Sequence, residues 1–408
     1  MPPIALFLLH AGLVIGLPFA LWRMAGLRRW VPLVVVQIAV GLALGPSLLG
    51  RAAPDLWAAL FPPGALAALD GLVWLGVCYF AFATGLHFDL TDIRGRGRAF
   101  AVNAVLTFLL PTLAGCAAGM VLLELVPQAA GAGAPPWAFV VGVGVAVGVT
   151  ALPVLAAILR EMGLTGTRLG NEALGCAALN DGALWLVVAA LLAAVQGGAS
   201  GGGPVWGVAG VVAGSAAFFA VLWLGVRPLL ARLVHHADGR VSEREVVVVS
   251  VGLLAAALVT ELLGLHAVVG AFAFGAVVPK ALARDLLGKF ESFLMVVLLP
   301  FFFIATGLKT QLGGMGEGWF AVFVLTTVVS VAAKLASAAL PARAQGWAWP
   351  DALALGALVG CKGLMELVVL ALLLERGIIS AAGFSGMVMM ALLTTALARP
   401  LTGLLIKR

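Results

Sequence analysis

This sequence has little charge. Only 10% of its 408 residues are Asp, Glu, Lys or Arg, while 63% are hydrophobic, and the mean hydropathy is +1.14. A soluble domain carries about 25% charged residues, so a water-solvated globule is excluded and the solvent must be lipid. Cysteine is also sparse. Cys78, Cys116, Cys176 and Cys361 lie inside apolar runs without metal-ligand spacing and read as small packing residues. No GxGxxG, P-loop or metal-ligand cluster occurs, so an enzyme finds no support and no cofactor is expected. The first apolar segment has no basic stretch before it and no cleavage site, and is expected to be a retained anchor.

What fills the chain is apolar segments. A spanning helix needs roughly 20 apolar residues. Thirteen candidates begin near Ile4, Val31, Gly71, Phe100, Trp137, Leu174, Val205, Val246, Ala267, Phe293, Phe320, Ala352 and Ala382. The expected fold class is therefore an all-α polytopic membrane protein of about thirteen helices. Basic residues gather in alternate loops: Arg23, Arg28 and Arg29; Arg94, Arg96 and Arg98; Arg160 and Arg168; Arg227, Arg232, Arg240 and Arg244. The same set continues with Lys280, Arg284 and Lys289, then Arg343, then Arg399, Lys407 and Arg408, whereas the other loops hold only Arg51, Lys309 and Arg376. The positive-inside rule then places the N-terminus outside and the C-terminus in the cytoplasm. The net charge of +6 expresses topology and not nucleic-acid binding. The opposite loops are chargeless linkers such as "QAAGAGAPP" and "QGGASGGGP".

The chain also echoes itself. "FATGLHFDL" (Phe82 to Leu90) returns as "IATGLKTQL" (Ile304 to Leu312), and "PTLAGCAAG" from Pro111 as "AKLASAALP" from Ala333. "VGVTALPVLAAILREMGL" from Val147 is matched loosely by "VGCKGLMELVVLALLLERGI" from Val359. His87 falls in a loop of the basic set and Lys309 in one of the opposite set, so the copies are expected to be inverted. In inverted-repeat transporters, paired Gly- or Pro-interrupted segments mark the binding site. Here these are the segments holding Thr150 to Pro153 and Cys361 to Gly363.

A charge at mid-bilayer costs ~2.5–3.5 kcal/mol on insertion scales, so each one needs a reason. Asp181 stands in "CAALNDGALWLV", about eight residues into its span. It is either one half of a structural pair or an ion site. As an ion site it holds a proton or a small cation but not both, the minimum chemistry of exchange. Asn180 adds a neutral carbonyl oxygen. Thr150 precedes Pro153 and either coordinates an ion with carbonyls freed by the break or bonds back within its own helix. Lys334 lies mid-span and either faces the core or snorkels towards Arg343. Lys362 and Glu366 are one turn apart and can pair on one face, with Lys362 also placed to offset the dipole of a half-helix end. Glu261, His266 and Glu124 read as loop-edge residues, and His235, His236 and Asp238 as solvated.

Four stretches, "VQIAVGLALGPSLLG" from Val36, "LLGLHAVVGAFAFGAVVPK" from Leu262, "PFFFIATGLKT" from Pro300 and "KGLMELVVL" from Lys362, together resemble the second monovalent cation–proton antiporter family. That group holds sodium–proton antiporters, potassium efflux systems and plant cation exchangers. The resemblance runs from about residue 30 to the end. It implies an elevator fold of thirteen helices with two discontinuous crossing helices, and a homodimer in the cell membrane. One transmembrane domain would span 1–408, with a core at about 100–195 and 318–405 and a dimerisation scaffold at about 1–99 and 205–317. It implies that Asp181 is the ion-binding aspartate for transported Na+ or K+ and Thr150 the polar residue of the first crossing helix. Lys334 matches the core lysine that partners a carboxylate, and Lys362 and Glu366 the charged positions of the second crossing helix. Many electrogenic members carry two adjacent aspartates where this chain has Asn180–Asp181, so one-for-one exchange is expected. Cys361 and Gly182 also depart from the pattern, and the cytosolic nucleotide-binding domain of many potassium efflux members is not expected. Two alternatives share the fold: a sensor or accessory protein that no longer exchanges cations, and a carrier of a larger ion.

Overall fold

The computed structural model describes residues 3–24, 26, 31, 33–62, 65–87, 97–199, 213–233, 241–263, 267–310 and 318–406. Arg28, Arg29, Arg94, Arg96, His235, His236, Asp238, Arg240, His266, Lys407 and Arg408 lie outside these residues, as do the start of the seventh segment and the linker from residue 200 onward. Among the described residues the chain is helical, and its one β feature is an isolated bridge between Ala130 and Ile379. Lipid offers the backbone no hydrogen-bond partner, so uninterrupted runs of Val, Leu, Ala and Phe must satisfy themselves as helices.

The helices are α1 (Pro3–Met24), α2 (Leu33–Leu44), α3 (Ala65–His87), α4 (Gly97–Leu125), α5 (Pro136–Gly148) and α6 (Leu152–Glu161). There follow α7 (Arg168–Ala199), α8 (Ala213–Arg232), α9 (Glu243–Leu262) and α10 (Ala267–Val277). The last are α11 (Lys280–Phe293), α12 (Leu299–Lys309), α13 (Gly318–Ala344), α14 (Trp349–Val359), α15 (Leu364–Glu375) and α16 (Ala381–Ile406). Among the described residues ten helical segments are long and apolar enough to cross a bilayer, among them Leu33–Ala52, which extends α2, and Ala281–Leu308, which joins α11 to α12, whereas Pro136–Gly148, Ala267–Val277 and Trp349–Val359 are shorter. That makes ten candidate spans among the described residues against the thirteen expected, with three shorter apolar helices beside them. Two of the short ones, α5 and α14, are first halves of broken elements.

The repeat is visible in the element order. The series α4, broken α5–α6, α7 recurs as α13, broken α14–α15, α16. Close helix crossings extend it. A Cβ on Gly307 of α12 would lie 2.3 Å from the Ile38 carbonyl oxygen of α2, and one on Gly41 of α2 would lie 2.4 Å from that of Ile304. The other "TGL" helix repeats the arrangement: a Cβ on Gly85 of α3 would lie 2.2 Å from the Phe272 carbonyl oxygen of α10, and one on Gly275 would lie 2.3 Å from that of Phe82. In both crossings each glycine follows the carbonyl it exposes by three residues. Backbones approach this closely only where neither partner has a side chain. The two "TGL" tripeptides are therefore equivalent packing positions, not a coincidence of composition.

The described chain forms two compact units. One comprises Met1–Gly71, Thr91–Leu184 and Pro300–Arg408. Within it α13 packs against α4, α14 and α16. Its inner ridge runs Val322, Thr326, Ser330, Lys334, Ala338 and Ala342 at intervals of four, all buried, and its outer ridge runs Phe320, Val324, Val328, Ala332, Ala336 and Leu340, all exposed. Phe100, Leu155, Ile158, Leu355 and Ala398 join one apolar cluster of this unit. The second unit comprises Leu72–Leu90 and Trp185–Leu299. It packs Trp185 against Phe272 and Phe82 against Phe274, each with ring centroids 6.1 Å apart. There Glu261 accepts the Ala267 N–H at 2.7 Å and so caps α10.

Candidate functional site

Two breaks meet inside the first unit. Between α5 and α6 the chain runs extended at Val149 (φ −66°, ψ 149°), and Pro153, in the first turn of α6, has no N–H to miss there. Between α14 and α15 lie Gly360 to Gly363. Gly363 is required by proximity, since a Cβ there would stand 2.7 Å from Cγ2 of Val154. The breaks are stitched to each other: the Ala151 N–H donates to the Cys361 carbonyl at 3.1 Å, and the Thr150 hydroxyl donates to the Val359 carbonyl at 2.7 Å. Thr150 does not bond back within its own helix.

A helix that ends inside a membrane leaves its last carbonyls without partners and with partial negative charge. At the end of α5 two lysines take them. Lys362 Nζ donates to the Ala146 and Val147 carbonyls at 2.6 and 2.9 Å. Lys334 Nζ donates to the Gly148 carbonyl at 2.6 Å, the Thr107 carbonyl at 2.9 Å and the Thr150 hydroxyl at 2.7 Å. Both lysines are fully buried. Lys334 therefore faces the core and does not snorkel. Three acceptors around one nitrogen match the three N–H donors of an ammonium; an amine would turn its lone pair against one of them. None of the three acceptors is a carboxylate. The carbonyls that the break frees go to lysines.

Lys362 also pairs with Glu366, Nζ to Oε2 at 3.5 Å, with both side chains fully buried. Its own carbonyl accepts the Thr395 hydroxyl of α16. Asn180 reaches Thr150 at 3.2 Å, and with its NH2 turned to the Ala104 and Cys176 carbonyls at 3.1 and 3.2 Å its oxygen competes with the Val359 carbonyl for the one Thr150 hydroxyl hydrogen.

Asp181 is different. It is 1% exposed, and neither carboxylate oxygen makes a hydrogen bond. The groups acting on it are positive: the Leu152 N–H at the start of α6, and Lys334. Among the described residues it is the one buried aspartate, and unlike Glu366, whose oxygens also lack hydrogen bonds, it has no ion pair. The structure thus brings Asp181, Asn180, Thr150, Lys334, Lys362 and Glu366 to one crossing point.

Sequence reasoning missed several participants. The Thr107 and Gly148 carbonyls could not be found, because backbone acceptors carry no residue signature. A second polar layer was findable. Asn103, buried on α4 one turn before Thr107, donates to Glu172 at 2.7 Å and to Gln345 at 3.2 Å, and accepts from Gln345 at 2.9 Å. An asparagine in an apolar span was its signal. The two layers sit on the same three stretches of chain: Thr107, Asn180 and Lys334 in one, Asn103, Glu172 and Gln345, in the turn that follows α13, in the other.

The family model described as sodium/hydrogen exchanger, transmembrane, matches residues 10–407, and the chain belongs to that family. It is 34% identical over 388 residues to Cation/H(+) antiporter 19 of Arabidopsis thaliana, covering 92% of this chain and 46% of that protein. To Na(+)/H(+) antiporter NhaS4 of Synechocystis it is 29% identical over 393 residues, covering 95% and 92%. To K(+)/H(+) antiporter 1 of Saccharomyces cerevisiae it is 30% identical over 418 residues, covering 98% and 46%. The chain thus spans less than half the length of the plant and yeast relatives. The structure of the sodium proton antiporter MjNhaP1 from Methanocaldococcus jannaschii superposes with a TM-score of 0.70 over 99% of both chains at 15% identity, which shows a shared fold.

Proposed function

We propose that this protein exchanges a monovalent cation, Na+ or K+, for H+ across the membrane by alternating access, with both competing for Asp181. The observation that carries the reading is the buried Asp181 carboxylate, free of hydrogen bonds and set where two broken helices cross. Asn180 and Thr150 lie beside it as neutral oxygens, and Lys334, Lys362 and Glu366 balance the charge of the crossing. In proteoliposomes, an imposed gradient of Na+ or K+ is expected to dequench a pH-sensitive dye. A well-incorporated protein that gives no cation-dependent signal with either ion removes the proposal.

Exchange is one proton for one cation on this reading. Asn180 cannot titrate, and the three acceptors around Lys334 suit an ammonium that keeps its proton through the cycle. The cation gradient needed to null proton flux should then be the same with and without an imposed membrane potential; a null point that moves with voltage makes exchange electrogenic.

The protein sits in the cell membrane with its N-terminus outside, its C-terminus in the cytoplasm and its repeats inverted, supported by the loop distribution of Arg and Lys. A cysteine placed at Arg98 is expected to resist a membrane-impermeant thiol reagent in intact cells and to react in inverted vesicles. The opposite pattern reverses the orientation. The working form is a homodimer whose core, about 100–195 and 318–405, moves against a scaffold, about 1–99 and 205–317; a monomer mass for the active detergent-purified protein rejects that form.

A further inference from the structure

One rim of the first unit carries arginines that the exchange chemistry does not use. Arg168 opens α7, and its guanidinium carbon stands 4.4 Å from the centroid of the Trp347 ring. Arg343, in the last turn of α13, donates to the Trp347 carbonyl at 3.0 Å and lies 5.8 Å from the Trp349 ring centroid. The two guanidiniums thus bracket one buried tryptophan, and both residues are exposed.

The acids of this rim are engaged elsewhere. Glu161 is paired with Arg399 at 2.6 Å, and Glu172 holds the Asn103 amide. Asp351, in the first turn of α14, forms no ion pair with either arginine among the described residues. Two cations are therefore presented, preoriented on indole rings, with no carboxylate among the described residues paired to them.

What lies beside them is apolar. The outer ridge of α13 from Phe320 to Leu340 is exposed, and at 1.5 Å per residue it is about 30 Å long, the thickness of the hydrocarbon core. It ends one turn from Arg343 and beside Trp349, which is 49% exposed, as an interfacial tryptophan is. A ligand that matches both features has a phosphate at one end and acyl chains at the other.

We propose that this rim binds an anionic diacyl phospholipid, its phosphate held between Arg168 and Arg343 and its chains laid along the outer ridge of α13. Planar guanidinium forks suit phosphate oxygens, and basic pockets between transmembrane helices are known headgroup sites. The bound lipid joins the start of α7, which carries Asp181, to the end of α13, which carries Lys334. It braces the two helices that hold the site from their solvent ends. The proposal does not depend on which ion is exchanged.

The test is thermal unfolding of the purified full chain in detergent, titrated with phosphatidylglycerol, with phosphatidylcholine, or with inorganic phosphate. Phosphatidylglycerol is expected to raise the midpoint and the other two to leave it. In the Arg168→Gln/Arg343→Gln double variant the half-saturating lipid concentration should rise about thirtyfold, each basic group near a charged headgroup being worth roughly a factor of five. An unchanged titration overturns the proposal. An equal shift from phosphatidylcholine reduces the effect to acyl chains, and an equal shift from inorganic phosphate makes the arginines a free-anion site; either outcome overturns the phospholipid reading. If the double variant does not purify, Arg343→Gln alone, at an exposed position, should weaken the response about fivefold, and an unaltered response counts against the proposal in the same way.

Discussion

Asp181→Asn is expected to bring cation-driven proton movement down to the level of empty liposomes while leaving the protein folded and inserted. The two halves of that expectation come from the same geometry. The carboxylate is buried, and no side chain among the described residues bonds either oxygen, the Leu152 N–H at the start of α6 being the backbone donor directed at it. It therefore contributes a place for a cation or a proton and very little to cohesion. An ionised group buried without hydrogen bonds is costly, so the neutral amide should unfold at a temperature no lower than the wild type. A second readout separates loss of binding from loss of movement. A ligand that binds only the folded state raises the unfolding midpoint with its concentration, so the wild type should be stabilised by the transported cation and Asp181→Asn should not. An Asp181→Asn protein that exchanges at the wild-type rate ends the mechanism, whatever its stability.

That the site could be read from sequence at all is a consequence of the solvent. In water a lone aspartate says little; in a span such as "CAALNDGALWLV" its cost demands a purpose, and Asp181 stood out on that ground. The broken helices were legible for a related reason, because Thr150 to Pro153 and Cys361 to Gly363 interrupt runs that lipid would otherwise keep helical. The apolar segments gave every long helix its approximate place.

What stayed hidden is set by contacts across long stretches of chain. Lys334 could be placed mid-span, but whether it snorkelled or turned inward depended on Gly148, 186 residues away in sequence. The capping of α5 by Lys362 depends on Ala146, 216 residues away. Helical register shows which face a lysine occupies, not which helix end it meets. The reach of the repeat was understated for the same reason. Matching "TGL" tripeptides could be seen, while their partners Gly41 and Gly275 sit in helices whose sequences share little beyond a glycine.

The second large effect is expected at Lys334, and it falls on stability before transport. Lys334→Met keeps most of the side-chain volume and removes three hydrogen bonds. The Thr107 carbonyl of α4 and the Gly148 carbonyl are then left as buried acceptors without donors, each costing about 1–3 kcal/mol, the latter at the end of α5 where the helix dipole concentrates negative charge. The two carbonyls together cost about 2–6 kcal/mol. Asp181 is not a direct partner of Lys334, so Asp181→Asn should not rescue the loss: the double variant should unfold at the temperature of Lys334→Met. If Lys334 instead served mainly to neutralise Asp181, the double variant would recover towards wild type. The comparison of unfolding midpoints for the two single variants and the double variant decides between these roles. A Lys334→Met protein as stable as the wild type would mean that neither role holds, and that the Thr107 and Gly148 carbonyls find water when the ammonium is gone.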